Sequence, residues 1–185
     1  MIMKNIAYSL SLSAALCITT PAFSETWTVD PAQSKLGFEV QQGSGALTGT
    51  FASWDASIDF DVNSPESAKI SAQIKPASAA TGNPQFDTTM PAEDWFNVAG
   101  FPVAEFLADG ASLVEGNSYQ ANGTLTIKGV SHPVQLDFTL DIDGDTANAK
   151  GTAKLNRLDY ILGAGVGTDT IGDTVTVTID LTATR

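Results

Sequence analysis

Apolar and polar residues alternate one by one along most of this chain, and that period of two limits what it can fold into. Leu36, Phe38 and Val40 share one parity, as do Ala56, Ile58 and Phe60, then Ile70, Ala72 and Ile74, and Leu125 with Ile127. Successive side chains of extended backbone point to opposite faces, so each run describes a strand with one buried and one wet face. The longest run, Val134, Leu136, Phe138, Leu140 and Ile142, ends at the hairpin signal Asp143-Gly144, and Val175, Val177, Ile179 and Leu181 close the chain. Asn63-Ser64-Pro65 supplies turn chemistry between two of the runs. Several such segments within 185 residues, with no linker or internal repeat, predict an all-β domain: one antiparallel sheet closed into a barrel or folded as a sandwich.

Two stretches depart from this pattern. From Ala77 to Phe101 the alternation stops, and Met90-Pro91-Ala92-Glu93-Asp94-Trp95-Phe96 reads as a short helix with Pro in its first turn, the expected cap over a barrel. Ala147, Ala149, Gly151, Ala153, Leu155 and Arg157 share parity, so one strand presents small residues and then a cation to its inner face. Small inward residues leave volume, and volume inside an apolar barrel is a ligand cavity unless neighbours such as Phe38 and Phe138 fill it.

The chain carries 9 Lys plus Arg against 21 Asp plus Glu, a formal charge of -12. Nucleic acids are excluded as partners, because their binding draws on clustered cations, and the same field restricts any membrane role to transient contact. Lys4, the apolar run from Ile6 to Ile18 and the small residues of Ala22-Phe23-Ser24 read as a cleaved signal over residues 1–24, with Glu25 as the first residue of a soluble periplasmic domain, 25–185. Cleavage also removes Cys17, the single cysteine, so the domain is held by packing without disulfides.

Few residues carry chemistry. Arg157 pins a polar ligand head through two parallel hydrogen bonds, forms an ion pair with Asp159, Asp169 or Asp173, or does both. Trp54, Trp95, Phe96, Phe101 and Phe106 offer flat apolar surface, as core or as ligand wall. Gly163-Ala164-Gly165-Val166-Gly167 lacks the following helix or Lys-Ser pair that phosphate loops need, and reads as a loop near the barrel mouth. Asp141 to Asp145 begins like a calcium loop but has Thr146 and Thr152 where Gly and Glu are required. His132 is the only histidine, which argues against a catalytic triad or a transition-metal site; no catalytic residue, metal or cofactor is expected.

Several segments together resemble one known family: Trp27-Thr28-Val29-Asp30-Pro31 with Ser34, Gly49-Thr50-Phe51, Ile58-Asp59-Phe60-Asp61, Asp94-Trp95-Phe96-Asn97, Phe101 to Phe106, Gly123 to Val130, Pro133-Val134, Arg157-Leu158-Asp159-Tyr160 and Ile171 to Val175. In this order and spacing they are similar to the YceI family of polyisoprenoid-binding proteins. The resemblance implies an extended, lipocalin-like antiparallel β-barrel of about eight strands with a short capping helix. It also implies export and a lumen holding a long-chain amphiphile: a polyisoprenoid, an isoprenoid quinone or a fatty amide. The residues expected at such a ligand are Phe38, Trp54, Phe60, Trp95, Phe96, Phe101, Phe106, Phe138, Arg157 and Tyr160. Many YceI-like chains carry His two residues after Asp-Pro or before the glycine-rich turn; Gln33 and Gln41-Gln42 stand there instead, and a glutamine suits a neutral head better than a pyrophosphate. Transport or storage of the ligand is the leading expectation. A lipid-modifying enzyme with Asp159 as its base, and a non-catalytic partner of a membrane b-type cytochrome, stand beside it.

Overall fold

The computed structural model describes residues 26–185; the expected signal segment, 1–24, lies outside the described residues. The chain forms β1 (Thr26–Val29), β2 (Lys35–Gln42), β3 (Gly45–Phe51), β4 (Trp54–Asp59), β5 (Lys69–Ile74), β6 (Ala79–Ala80), helix α1 (Pro84–Thr89), β7 (Ala104–Asp109), β8 (Ser112–Glu115), β9 (Ser118–Ile127), β10 (Val130–Asp143), β11 (Thr146–Asn156) and β12 (Ile171–Thr184). Every pairing is antiparallel, and the ring β1-β4-β5-β7-β9-β10-β11-β12 closes through a β1–β12 pairing. Closure leaves the ring without a free edge, which is how an antiparallel sheet avoids aggregation.

Three of the four strands outside the ring, β2, β3 and β6, lengthen it at one end, and β8 pairs with β9 at Ser118–Gln120. Off β12, β1 takes Ala183 and Thr184 while β2 takes the stretch from Val175 to Asp180, so the two short strands share one place in the wall. Similarly β4 pairs with β5, and β3, just before it in the chain, pairs with the two residues of β6. The segment from Thr81 to Val103 follows β6 and carries α1.

The expected helix is displaced. It runs over Pro84–Thr89, with Asn83 accepting from the Gln85 N–H at its start, and residues 90–96 are turns. Pro91 explains the shift, since it has no N–H to give the Asp87 carbonyl and so ends the helix at the point where the sequence reading began it. The Asn-Pro pair supplied a cap and a first-turn proline seven residues earlier.

Buried side chains form two groups. One end holds Trp27, Phe60, Tyr119, Leu136 and Leu181 with several alanines; the other holds Ala104, Ile127, Tyr160 and Leu162, with Trp95, Phe96 and Leu155 packed against them. At the first end Tyr119 stacks on Phe138 at 5.5 Å and meets Phe60 edge-on at 5.2 Å.

Glycine sets how the rings lie. Phe38 faces Gly49 and Phe138 faces Gly151 across strand pairs, and Phe106 lies over Gly123. A Cβ on Gly123 would stand 2.5 Å from Phe106 Cε2 and 2.6 Å from the Leu107 carbonyl oxygen. Gly123→Ala is therefore expected to cost about 1–3 kcal/mol of unfolding free energy in urea titrations, as overpacked sites do. Gly45→Ala, where the nearest atom is 3.8 Å away, is the control and should stay close to wild type.

Candidate functional site

Inside the barrel lies a cavity of about 290 Å³. Apart from Arg157 and Thr89, each residue lining it is aliphatic, aromatic, Met, Pro or Gly. All six positions of the small-residue strand, Ala147 through Leu155 and then Arg157, reach this wall. A side chain of ordinary size at those places would occupy the lumen, which is why their parity in the sequence carried information.

Of the ten residues anticipated at a ligand, Phe38, Trp54, Phe60, Trp95, Phe96, Phe106, Phe138 and Arg157 line the cavity. Phe101 and Tyr160 do not. The Phe101 ring covers Gly129, where a Cβ would come within 2.8 Å of Cε1, and Tyr160 packs beside His132, ring centroids 5.2 Å apart. The glutamines also lie elsewhere: Gln33 donates to Asp30 and Gln41 to the Gly43 carbonyl, and neither they nor Gln42 face the lumen. Sequence reading missed Phe86, Thr89 and Met90, which enter the wall from α1 and its C-terminal cap, and Leu162, which enters from the glycine-rich loop.

Arg157 has a different task from either one expected of it. It is 2 % exposed, and each of its five N–H groups meets a backbone carbonyl. Nε donates to Gly172 at 3.1 Å, Nη1 to Leu162 and Gly163 at 2.8 Å each, and Nη2 to Val166 at 2.7 Å and Ile171 at 3.0 Å. Among the described residues no carboxylate makes an ion pair with it. Asp173 instead accepts from the Leu158 N–H at 3.0 Å. With every donor engaged, the guanidinium has none to offer a ligand head. It shapes the glycine-rich loop into a cover instead.

That cover is fastened to the segment after α1. The Gly163 N–H donates to the Asp94 carbonyl at 2.6 Å, and the Lys128 ammonium reaches both the Glu93 carbonyl at 2.7 Å and that of Ile161 at 3.5 Å. Trp95 lies so near Gly163 that a Cβ there would stand 2.6 Å from Cη2. Phe96 meets Phe51 of β3 edge-on at 6.1 Å. α1 is held in turn by Asp87, whose carboxylate accepts from the Thr81 N–H and hydroxyl at 2.7 Å, and the backbone contact above all keeps its pKa below the usual carboxylate value.

Tyr160 is the buried polar side chain without a partner: its hydroxyl has none among the described residues. Burial, and secondarily the charge of Asp159, pushes the phenol from 10.0 up to about 12.

A closed eight-stranded antiparallel barrel around an apolar lumen, capped by irregular segments, defines a protein of the lipocalin-like class. The YceI-like domain matches residues 27–183, and the chain belongs to that family. It is 30 % identical over 174 residues to a UPF0312 protein of Photorhabdus laumondii, covering 89 % of this chain and 90 % of the relative. The crystal structure of Burkholderia cenocepacia BcnA shares 28 % identity and superposes with a TM-score of 0.79 over 84 % of this chain and 99 % of that one. A polyisoprenoid binding domain from Saccharophagus degradans, implicated in plant cell wall breakdown, is 20 % identical with a TM-score of 0.66 over 88 % of this chain and 99 % of that one, a likeness of fold.

Three variants probe the polar residues of the cap. Arg157→Met leaves five carbonyls without their donor and should lower stability by about 3–5 kcal/mol, with Arg157→Lys intermediate because an ammonium has fewer donors, as read from urea unfolding. For Tyr160 the folded pKa lies above the unfolded one, so between pH 10 and about 12 the unfolded chain loses its proton first. The contribution to stability is thus complete below pH 10 and declines as pH rises towards 12. Tyr160→Phe should flatten that alkaline decline in pH-dependent melting and leave stability at pH 7 equal to or above wild type, since it deletes an unpaired buried hydroxyl.

Proposed function

We propose that this protein binds a long-chain apolar amphiphile in its lumen and carries or stores it as an exported periplasmic protein. A polyisoprenoid, an isoprenoid quinone and a fatty amide all have the required chemistry. The observation that carries the reading is the continuous apolar lining kept open by Ala147, Ala149, Gly151 and Ala153. Each square ångström of apolar surface taken from water contributes roughly 25 cal/mol, so a long chain needs no specific polar contact to be retained.

Other features support it. The Saccharophagus degradans domain, alike in fold, is described as polyisoprenoid binding. The signal-like residues 1–24 favour export. An excess of acidic over basic residues favours release from an anionic bilayer once the ligand is loaded, because the surfaces repel.

Protein purified from a bacterial periplasm without detergent should show, in native mass spectrometry, an added mass that disappears on denaturation and reappears in the organic extract. Ala149→Phe, which puts a ring into the lumen opposite Leu140 and Leu181, should abolish the added mass while keeping a cooperative melt. An empty wild-type protein that also takes up no added isoprenoid or fatty amide would refute the binding reading.

A further inference from the structure

The barrel wall is not paired along its full height. β10 and β11 hydrogen-bond from the Asp143–Thr146 end up to Leu136 and Ala153, and there their ladder stops. Both strands continue beyond that point: β10 stays paired with β9 as far as Val130, and β11 with β12 as far as Asn156. The two neighbours therefore diverge. Pro133 stands in the diverging part of β10, where a residue without an N–H is tolerated because no full ladder is required of it.

A second cavity, of about 180 Å³, lies in this fissure. Its chemistry is opposite to that of the lumen. His132, Lys154, Asn156, Asp159 and Tyr160 line it, and the His132 ring is steadied by a 3.1 Å hydrogen bond between Nε2 and the Asp159 carbonyl oxygen. Val134 and Leu155 line both this cavity and the lumen, so the partition between them includes two aliphatic side chains and no backbone ladder. Tyr160, which lines the fissure, also holds the buried hydroxyl that has no partner among the described residues.

An amphiphile has a polar end, and the lumen offers that end no free donor, since the Thr89 hydroxyl already donates to the Gln85 carbonyl at 2.8 Å. Its one cation, Arg157, has all five donors engaged. Burying a hydroxyl, carbonyl or amide in an apolar cavity without a hydrogen bond costs a few kcal/mol, so the head must lie where polar groups adjoin the apolar channel. We propose that the fissure between β10 and β11 is the head-group site: an uncharged, oxygen-bearing head lodges among Tyr160, His132 and Lys154 while its chain passes between Val134 and Leu155 into the lumen. This rests on the lumen reading above and adds to it the place and the class of the head. Uncharged heads suit the fissure because the Lys154 ammonium and the Asp159 carboxylate in its lining sum to zero, so it gives no net attraction to offset the desolvation of an ionised head of either sign.

The test pairs two ligands with the same chain, octadecanamide and octadecane, competing for the protein against a fluorescent fatty probe in the lumen. Wild type should prefer the amide by about tenfold, the worth of one well-made buried hydrogen bond. Tyr160→Phe and Lys154→Met should each reduce that preference towards parity and leave the affinity for octadecane unchanged. Val134→Trp, which thickens the partition, should weaken the amide more than the alkane. An amide preference that survives these variants, or none in wild type, would overturn the fissure as the head site while leaving the lumen reading intact. Failure of wild type to bind the probe would overturn the lumen reading itself and the head site with it.

Discussion

Eight strands make a barrel narrow enough for its own side chains to fill, and this structure is organised around preventing that. One wall achieves it with the run of alanines and glycine along β11, where residues of normal bulk would meet across the axis. The opposite tactic serves two large residues: the Phe38 and Phe106 rings lie over Gly49 and Gly123, flat against the wall. Volume is thereby kept at the expense of packing contacts, which a ligand chain can restore. The register of the sheet is tied to the same device, because a one-residue slip would turn both the rings and the small residues to the outside.

The two ends of the barrel are closed by different physics. At the Trp27–Phe60–Tyr119 end the closure is apolar and aromatic. At the other end it is irregular backbone, whose carbonyls cannot be left unsatisfied out of water. Arg157 answers this by donating to five of them from one buried position, and Lys128 reaches two more from outside. A guanidinium suits the task because its donors are fixed in a plane and it is the more weakly hydrated of the two common cations. The cap is thus held by the Arg157 and Lys128 side chains together with backbone bonds such as that from the Gly163 N–H to the Asp94 carbonyl.

Period-two alternation made the wall legible, down to which face of β2, β4, β5, β10 and β12 is inward, because each of those strands has one wet side to contrast with. The same reading stalled where backbone leaves the sheet. Pro91 suits a first turn and so points to a helix on Met90–Phe96, yet the capping information lies in Asn83-Pro84. Arg157 was legible as an inward cation, but its partners are carbonyls, which have no sequence identity to recognise. The divergence of β10 from β11 left only Pro133 as a trace, and a single proline near a strand end has many other readings.

The charges of this chain are consistent with its division into apolar and polar compartments. Arg157 is the one described cation that reaches the lumen, and its full set of carbonyl partners means that no carboxylate had to be brought inside with it. The described ion pairs lie on the exterior, as in Lys69 with Asp109 and Lys150 with Asp180, where solvent makes each worth little. Electrostatics therefore adds little to the stability of the barrel and leaves its surface free to be acidic. Among the residues lining the lumen only Thr89 and Arg157 are polar, and both already donate to backbone carbonyls. In the fissure polar side chains adjoin the apolar wall, with Val134 and Leu155 facing both cavities and the buried Tyr160 hydroxyl lacking a partner among the described residues.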